Sequence, residues 1–194
     1  MKYKDLPLFP LNLVLLPFEK LPLHIFEPRY KIMVKNSIKS SDPFGIVLRE
    51  KKGIHNTGCQ VRVTRVIKEY DGGEYDIIVQ GTERFSILKT QKNGDTYIGK
   101  IDYKPEIKVA NSKLIENVQH KYMKVLILSG VNKDIELYME KKISYDFLQG
   151  IQLPLQIKKR LLDIDNEETR MGFINKMFQN VLDGEISSNN IPEA

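Results

Sequence analysis

Five prolines interrupt the apolar stretch from Leu6 to Val34, which reads LPLFPLNLVLLPFEKLPLHIFEPRYKIMV. Proline fixes φ and has no backbone N–H, so it disrupts the interior of a helix and the hydrogen-bonded ladder of a central strand. The first four prolines, at positions 7, 10, 17 and 22, therefore predict short or edge strands joined by extended turns. They exclude a long helix from this part of the chain.

The fifth proline, Pro28, predicts the start of a helix. Proline suits the first helical position because the N–H that it lacks would have no partner there. Apolar side chains then follow at helical spacing as far as Ile38, so we expect one helix from Pro28 to about Lys39 with a single apolar face.

Short strands and tight turns are predicted for the rest of the first half. The pairs Asp71-Gly72 and Asn93-Gly94 are typical of hairpin turns, because these residues tolerate positive φ. Further predictions are a strand within residues 43–50, a surface loop over 51–58, a bulge near 64–66, and a turn at 81–83.

The hydrophobic period changes from two to 3.6 after residues 104–110, which indicates helices in the second half. Asparagine, aspartate and proline are common where helices begin. They predict four helices: one from Asn111 to about Gly130, one opened by Asp134, one from Pro154 through Leu162, and one capped by Asn166.

These patterns together predict an α+β protein with two parts. Residues 1–108 are expected to form a small closed or half-closed β-barrel, since the strands are short and no helices alternate with them. Residues 109–194 are expected to form an α-helical bundle.

Several words of the sequence resemble the N-terminal, substrate-recognition domain of the Lon proteases. They are PLFPL, LPLHIFEPRY with the following KIMV, FGIVL at 44–48, QGTERFSI at 80–87, and FLQGIQLPLQIKKRLLDIDNEETRMGFINKMFQNVL from Phe147 onward. The resemblance implies that residues 1–108 form a twisted antiparallel β pseudo-barrel of the PUA-like kind with one inserted helix, followed by an α-helical bundle. It also implies a stand-alone, non-catalytic module that lacks the ATPase and peptidase domains.

The charge and the cysteine content favour a cytoplasmic protein without a metal or a disulfide. Cys59 is the only cysteine, which suits a reducing compartment, and the N-terminus matches a signal peptide poorly. The three histidines lie far apart in the chain, so no metal or other cofactor is predicted. The net charge is +5, and the excess of Lys and Arg falls within residues 1–110.

The leading hypothesis is that the chain binds unfolded or extended polypeptide, or one specific protein partner. Docking is expected on an edge strand or in a groove formed by Phe18, Leu21, Leu23, Glu27 and Arg29. A purely structural interpretation of the charged pair is also open: Glu27 then caps the helix, and Arg29 pairs with a nearby carboxylate.

Two other functions are alternatives. The basic β half suits an RNA-binding protein, with Tyr75, Phe85, Tyr97 and Tyr103 as candidates for stacking on bases, although each also falls in a core-facing series. A hydrolase is the more remote alternative. The sequence contains no GxxxxGK[ST] nucleotide-binding loop, and its Ser/Lys pairs are expected by chance.

Overall fold

The computed structural model describes residues 3–104, 110–131 and 140–184. It contains two compact units, Met1–Lys104 and Pro105–Ala194. The predicted α+β class is confirmed, with the strands in the first unit and most of the helices in the second. The expected boundary between residues 108 and 109 and the helix expected from Asp134 lie outside the described residues.

Six strands and one helix build the first unit. In chain order they are β1 (Lys4–Leu11), β2 (Lys20–Ile25), α1 (Pro28–Ser40), β3 (Phe44–Glu50), β4 (Gly53–Glu69), β5 (Tyr75–Asn93) and β6 (Thr96–Tyr103).

The sheet closes on itself and leaves one strand at its edge. Its order is β2-β5-β4-β3-β1-β6, and β6 also pairs with β5, so five strands form a ring to which β2 is added. This closure agrees with the predicted pseudo-barrel. The predicted antiparallel pairing is wrong for one pair, because β1 and β3 run parallel. The long connection through β2 and α1 permits this direction, which a tight hairpin would not.

The prolines of β1 are accommodated by the stagger of its two neighbours. Residues Lys4–Leu8 pair with β6, whereas Leu8–Leu11 pair with β3. Pro7 therefore lies where the ladder to β6 is present and Pro10 where the ladder to β3 is present. Each half of β1 is therefore paired on one side only, and such a one-sided strand tolerates a proline.

Two loop predictions are wrong. Residues 53–58 belong to β4, which begins directly after a tight turn at Lys51-Lys52. The turn expected at residues 81–83 is a bulge inside the continuous strand β5, where the pairing shifts between Cys59/Arg84 and Val61/Gly81. In both cases cross-strand pairing overrides the local turn signals of glycine and polar residues. The bulge expected near Thr64 is confirmed by a register shift between Val63 and Arg65.

The core of the first unit is apolar and tightly packed. It includes Leu6, Leu8, Val47, Phe85 and Ile101, whose side chains are buried. Glycine makes room for the Phe85 ring, because a Cβ at position 58 would lie 2.4 Å from Cζ of that ring. Full burial of such side chains is the main source of stability of a small barrel.

The second unit contains helices that pack around aromatic side chains. They are α2 (Ser112–Leu128), a short 3-10 helix (Ser144–Leu148), α3 (Leu155–Asp163) and α4 (Glu167–Leu182). The predicted cap of α4 is confirmed, since the side chain of Asn166 accepts a backbone N–H bond, and Asn111, where the first of these helices is predicted to begin, caps α2 in the same way. The Tyr122 ring contacts the rings of Phe147 and Phe178, with centroids 5.5 and 5.4 Å apart.

Candidate functional site

Two open clefts of the first unit share the side chain of Arg29. The larger, here called the basic cleft, has a volume of about 680 Å³; its lining includes Arg29, Arg49, Ile54, Leu88, Lys89 and Tyr97. The second cleft has a volume of about 480 Å³; its lining includes Arg29, Ile32, Met33, Asp42, Phe44 and Asp95.

The N-terminus of α1 places Arg29 between these clefts. Pro28 occupies the first turn, and the backbone carbonyl of Glu27 accepts N–H bonds from Tyr30 (2.9 Å) and Lys31 (3.1 Å). Glu27 occupies the N-cap position, as the structural interpretation expects, but its side chain makes no capping bond. Its carboxylate accepts hydrogen bonds from Nε (2.9 Å) and Nη2 (2.5 Å) of Arg29. The expected pairing of Arg29 with a nearby carboxylate is therefore found.

The Tyr30 side chain contacts both Arg29 and Arg49. Cζ of Arg29 lies 4.6 Å from the centroid of the Tyr30 ring, and the Phe9 ring packs 4.1 Å from the same ring. Burial raises the pKa of the Tyr30 hydroxyl, although Arg29 and Arg49 act in the opposite direction. The hydroxyl is therefore neutral at neutral pH, and it is hydrogen-bonded to Arg49.

Strands β5 and β6 supply the opposite wall. Leu88 is 51% exposed and Tyr97 is 39% exposed, and both line the basic cleft. The expectation that Tyr97 faces the core is therefore wrong, whereas Phe85 and Tyr75 are buried as expected. Exposed apolar side chains gathered at one place usually mark a contact surface.

The predicted apolar residues lie on and beside the edge strand β2. Phe18 precedes the strand in a left-handed conformation (φ 65°), is 36% exposed, and donates its N–H to the carbonyl of Gly81 (2.9 Å). Leu21 and Leu23 belong to β2 and are half-buried. None of these three is among the described residues that line the two clefts. The clefts therefore involve Arg29 but not the apolar half of the predicted site.

The outer edge of β2 is poorly suited to the addition of another strand. The N–H of Gly81 donates to the carbonyl of Glu19 at 2.9 Å. The alternation of an antiparallel ladder then directs the backbone of Pro22, three residues on, to the outer edge. Proline has no donor to offer there, and such prolines are a common means of blocking an edge.

Sequence reasoning missed Arg49, Leu88 and Lys89 as members of a site. Arg49 is the penultimate residue of β3 and Lys89 lies within β5, and neither belongs to a recognisable motif. Their proximity depends on the register of the β5–β6 hairpin and on the closure of the sheet. No local pattern of residues signals either property.

The described histidines and acidic residues do not form a metal centre. His24 is hydrogen-bonded through Nδ1 to Oδ1 of Asp76 (2.7 Å), and the Tyr70 hydroxyl donates to Oδ2 of the same carboxylate (2.6 Å). The bond from Tyr70 and then that from His24 hold the pKa of Asp76 below its ordinary value. No group of three His, Cys, Asp or Glu able to hold a metal ion is found within residues 3–104, 110–131 and 140–184.

Within the same described ranges, no helix is long and apolar enough to cross a membrane. Cys59 is buried, and burial raises the pKa of its thiol far above the ordinary value. The thiol is therefore protonated and unreactive at neutral pH.

Two solved structures share this fold. A Lon N-terminal domain protein from Xanthomonas campestris superposes with a TM-score of 0.69 at 21% identity, covering 88% of this chain and 96% of that one. The N-terminal domain of the Lon protease of the Mycobacterium avium complex gives a TM-score of 0.71 at 15% identity, covering 91% and 99%.

Sequence comparison agrees with this likeness. A Lon protease from Parabacteroides distasonis is 28% identical over 114 residues, which are 52% of this chain and 14% of that protease. The chain thus matches only a small part of this curated relative. The sequence model described as the ATP-dependent protease La (LON) substrate-binding domain matches residues 5–179. The chain therefore belongs to the family of Lon substrate-binding domains.

Proposed function

We propose that this chain recognises other polypeptides by binding extended or unfolded segments in the two clefts that share Arg29. The observation that carries the proposal is the pair of adjoining open clefts with exposed apolar rims, found in a member of a substrate-binding family. Concave surfaces with apolar walls and a few polar groups are the usual form of binding sites. Membership of this family favours protein substrates as the ligand.

Groove binding is favoured over strand addition. Pro22 removes a donor from the outer edge of β2, whereas the basic cleft offers Leu88 and Tyr97 as apolar contacts and Arg29 as a donor. Phe18, Leu21 and Leu23 remain a second candidate surface, because the half-buried leucines and the exposed Phe18 side chain lie along one edge.

We further propose that the chain acts as a binding module without chemistry of its own and works in the cytoplasm. The binding role is supported by the matching family, which is described as a substrate-binding domain. The cytoplasmic location is supported by the buried Cys59 thiol, which suits a reducing compartment. The alternative to unfolded segments in general is one specific protein partner that binds in the same clefts.

The test is capture of a permanently unfolded protein, reduced and carboxymethylated lactalbumin, by chemical crosslinking. We expect wild type to capture this protein and not its native form, and Leu88→Asp to reduce capture at least severalfold. Leu128→Asp is the matched control, because Leu128 is also exposed but lies in the second unit.

The variant Phe18→Asp distinguishes the two surfaces. Aspartate tolerates a positive φ, so this variant is expected to fold. Loss of capture by Phe18→Asp alone would place the site at β2 and overturn the assignment to the clefts. Absence of capture by wild type would overturn the proposed function, and cleavage of the captured protein, seen by mass spectrometry, would contradict a purely binding role.

A further inference from the structure

The basic cleft carries positive charge without a compensating carboxylate in its lining. Arg29, Arg49 and Lys89 contribute to its wall, and no described lining residue is Asp or Glu. Nη2 of Arg49 donates to the carbonyl of Pro10 at 3.2 Å, which holds this guanidinium at the cleft. The Lys89 side chain is exposed, and it forms no ion pair or hydrogen bond with the residues that the structure describes. A concave surface lined by one sign of charge attracts ligands of the opposite sign.

Arg29 contributes less net charge than the other two cations. Two of its nitrogens are directed at Glu27, and its side chain is 33% exposed. The Glu27 carboxylate thus offsets much of its charge while fixing its orientation. The uncompensated attraction in the basic cleft therefore comes mainly from Arg49 and Lys89.

The remaining lining of the basic cleft is mostly apolar, although Asn56 and Thr90 also belong to it. Ile54, Ile87, Leu88 and Tyr97 line it beside the cations. A ligand that satisfies both kinds of wall must carry anionic groups and bulky apolar groups close together. Complementary charges in such a site determine which segment binds and in which register, more than they increase its affinity.

The second cleft argues against a continuous polyanion. Asp42 and Asp95 line it, and Asp95 is near enough to Arg29 to influence its titration. A nucleic acid strand bears a charge at every phosphate and would be repelled along this path. A polypeptide can instead place its carboxylates in the basic cleft and neutral or basic residues beside the two aspartates.

We propose that the basic cleft selects extended polypeptide segments in which carboxylate side chains alternate with bulky apolar ones. This inference rests on the proposed polypeptide binding and adds the class of segment that is preferred. Lys89 is the residue that distinguishes acidic from neutral segments, and Leu88 and Tyr97 contact their apolar side chains.

The experiment uses the full chain and three peptides of equal length that share Leu, Ser, Gly and one Trp. The peptides differ only in having Glu, Gln or Lys at the same two positions. The chain contains no tryptophan, so the fluorescence of the peptide reports binding without background. We expect the Glu peptide to bind about tenfold more tightly than the Gln peptide at low salt, and this ratio to fall as salt is added.

Two charge-matched variants locate the effect. Lys89→Gln is expected to reduce the preference for the Glu peptide to about threefold or less. Lys92→Gln removes the same charge from the same strand, but Lys92 lines neither cleft, so the preference should stay unchanged.

The outcomes separate this inference from the proposed function. Equal binding of the Glu and Gln peptides, or equal effects of the two lysine variants, would overturn the acidic preference and leave polypeptide binding intact. Binding of none of the three peptides would count against both proposals. A single-stranded oligouridylate that binds more tightly than the Glu peptide and depends on Lys89 would make nucleic acid the occupant and overturn the inference.

Discussion

Two arginines of this chain pair with glutamates nearby in sequence, yet they have opposite surroundings. Arg29 pairs with Glu27 at the mouth of two clefts, and both side chains are about one-third exposed. Arg170 pairs with Glu167 inside the second unit, where both side chains are almost fully buried. The same chemical pair thus lies in one case at a surface open to ligands and in the other within the packed core.

Hydrogen bonding explains why the buried pair is tolerated. The Glu167 carboxylate accepts bonds from the N–H (2.6 Å) and hydroxyl (2.9 Å) of Ser144, and Arg170 donates to the same hydroxyl (2.8 Å) and to the carbonyl of Ile164. The Arg170 guanidinium also lies 4.5 Å from the centroid of the Tyr145 ring. Buried charges are stable only when they are paired and hydrogen-bonded in this way. This network ties the 3-10 helix to α4, whereas the Arg29 pair orients a side chain at a cleft.

The largest expected effect follows from removing one partner of the buried pair. Glu167→Ala leaves the Arg170 charge unpaired in the core, so the free energy of unfolding should fall by about 3–5 kcal/mol. Urea unfolding followed by the helical far-UV circular dichroism signal measures this change. Glu168→Ala is the control, because Glu168 is the exposed neighbour and its loss should change stability by less than about 0.5 kcal/mol.

A double replacement sharpens the interpretation. Glu167→Leu with Arg170→Met removes both charges, so the loss should be much smaller than for Glu167→Ala alone. If the double variant is as unstable as the single one, packing around the pair and not the unpaired charge determines the effect.

A smaller effect is expected at the cleft. Glu27→Gln removes an ion pair that is partly exposed, so the free energy of unfolding should change by less than about 1 kcal/mol. The Arg29 charge is then uncompensated, and the Glu peptide should bind severalfold more tightly. This change is opposite in sign to that of Lys89→Gln. A loss of stability as large as that of Glu167→Ala would remove the distinction between the two arginines.

The smallest effect concerns a third pair, between Lys31 of α1 and Glu74 at the turn before β5. The hydrogen bond from Lys31 lowers the pKa of the Glu74 carboxyl. A lowered folded-state pKa contributes stability above the unfolded value, about 4.3, and this contribution is lost as the pH falls through the folded-state value. The melting temperature of wild type should therefore slightly exceed that of Glu74→Gln at pH 7.

The pH dependence of that difference provides the check. Melting curves of both proteins from neutral to acidic pH should converge once the pH falls below the folded-state pKa of Glu74, which itself lies below the unfolded value. Asp76, whose pKa is also lowered, is present in both proteins and cancels from the difference. A difference that persists in acid would mean that Glu74 acts through packing and not through its charge.

Local patterns were sufficient to predict much of the fold. Pro28 marked the start of α1, Asn111 and Asn166 marked those of two later helices, and the Asp71-Gly72 turn marked the hairpin between β4 and β5. Each of these signals depends on one residue and its immediate neighbours. Sequence reasoning also identified Glu27 and Arg29 as a charged pair, and the structure places them in contact.

Long-range pairing decided the remaining features. Gly81 was predicted to end a strand, but its pairing opposite β4 makes β5 continuous, and the parallel pairing of β1 with β3 has no local signature. Glu167 lies in the first turn of α4, where negative charge is favoured, and nothing in the local sequence distinguishes it from its exposed neighbour Glu168. Its burial is tolerated because the fold brings Ser144, 23 residues away in the chain, to its carboxylate, beside Arg170 one helical turn on.

The sequence by itself determined the α+β class, the starts of several helices and, by resemblance, the family to which the chain belongs. The class and the helix starts follow from proline geometry, capping and hydrophobic period, all of which act over a few residues, whereas the family follows from the resemblance of longer sequence words. Only the tertiary structure decided that Arg49 and Lys89 join Arg29 in one cleft while Phe18 lies elsewhere. The closure and register of the sheet set those distances, and they depend on contacts between residues far apart in the chain.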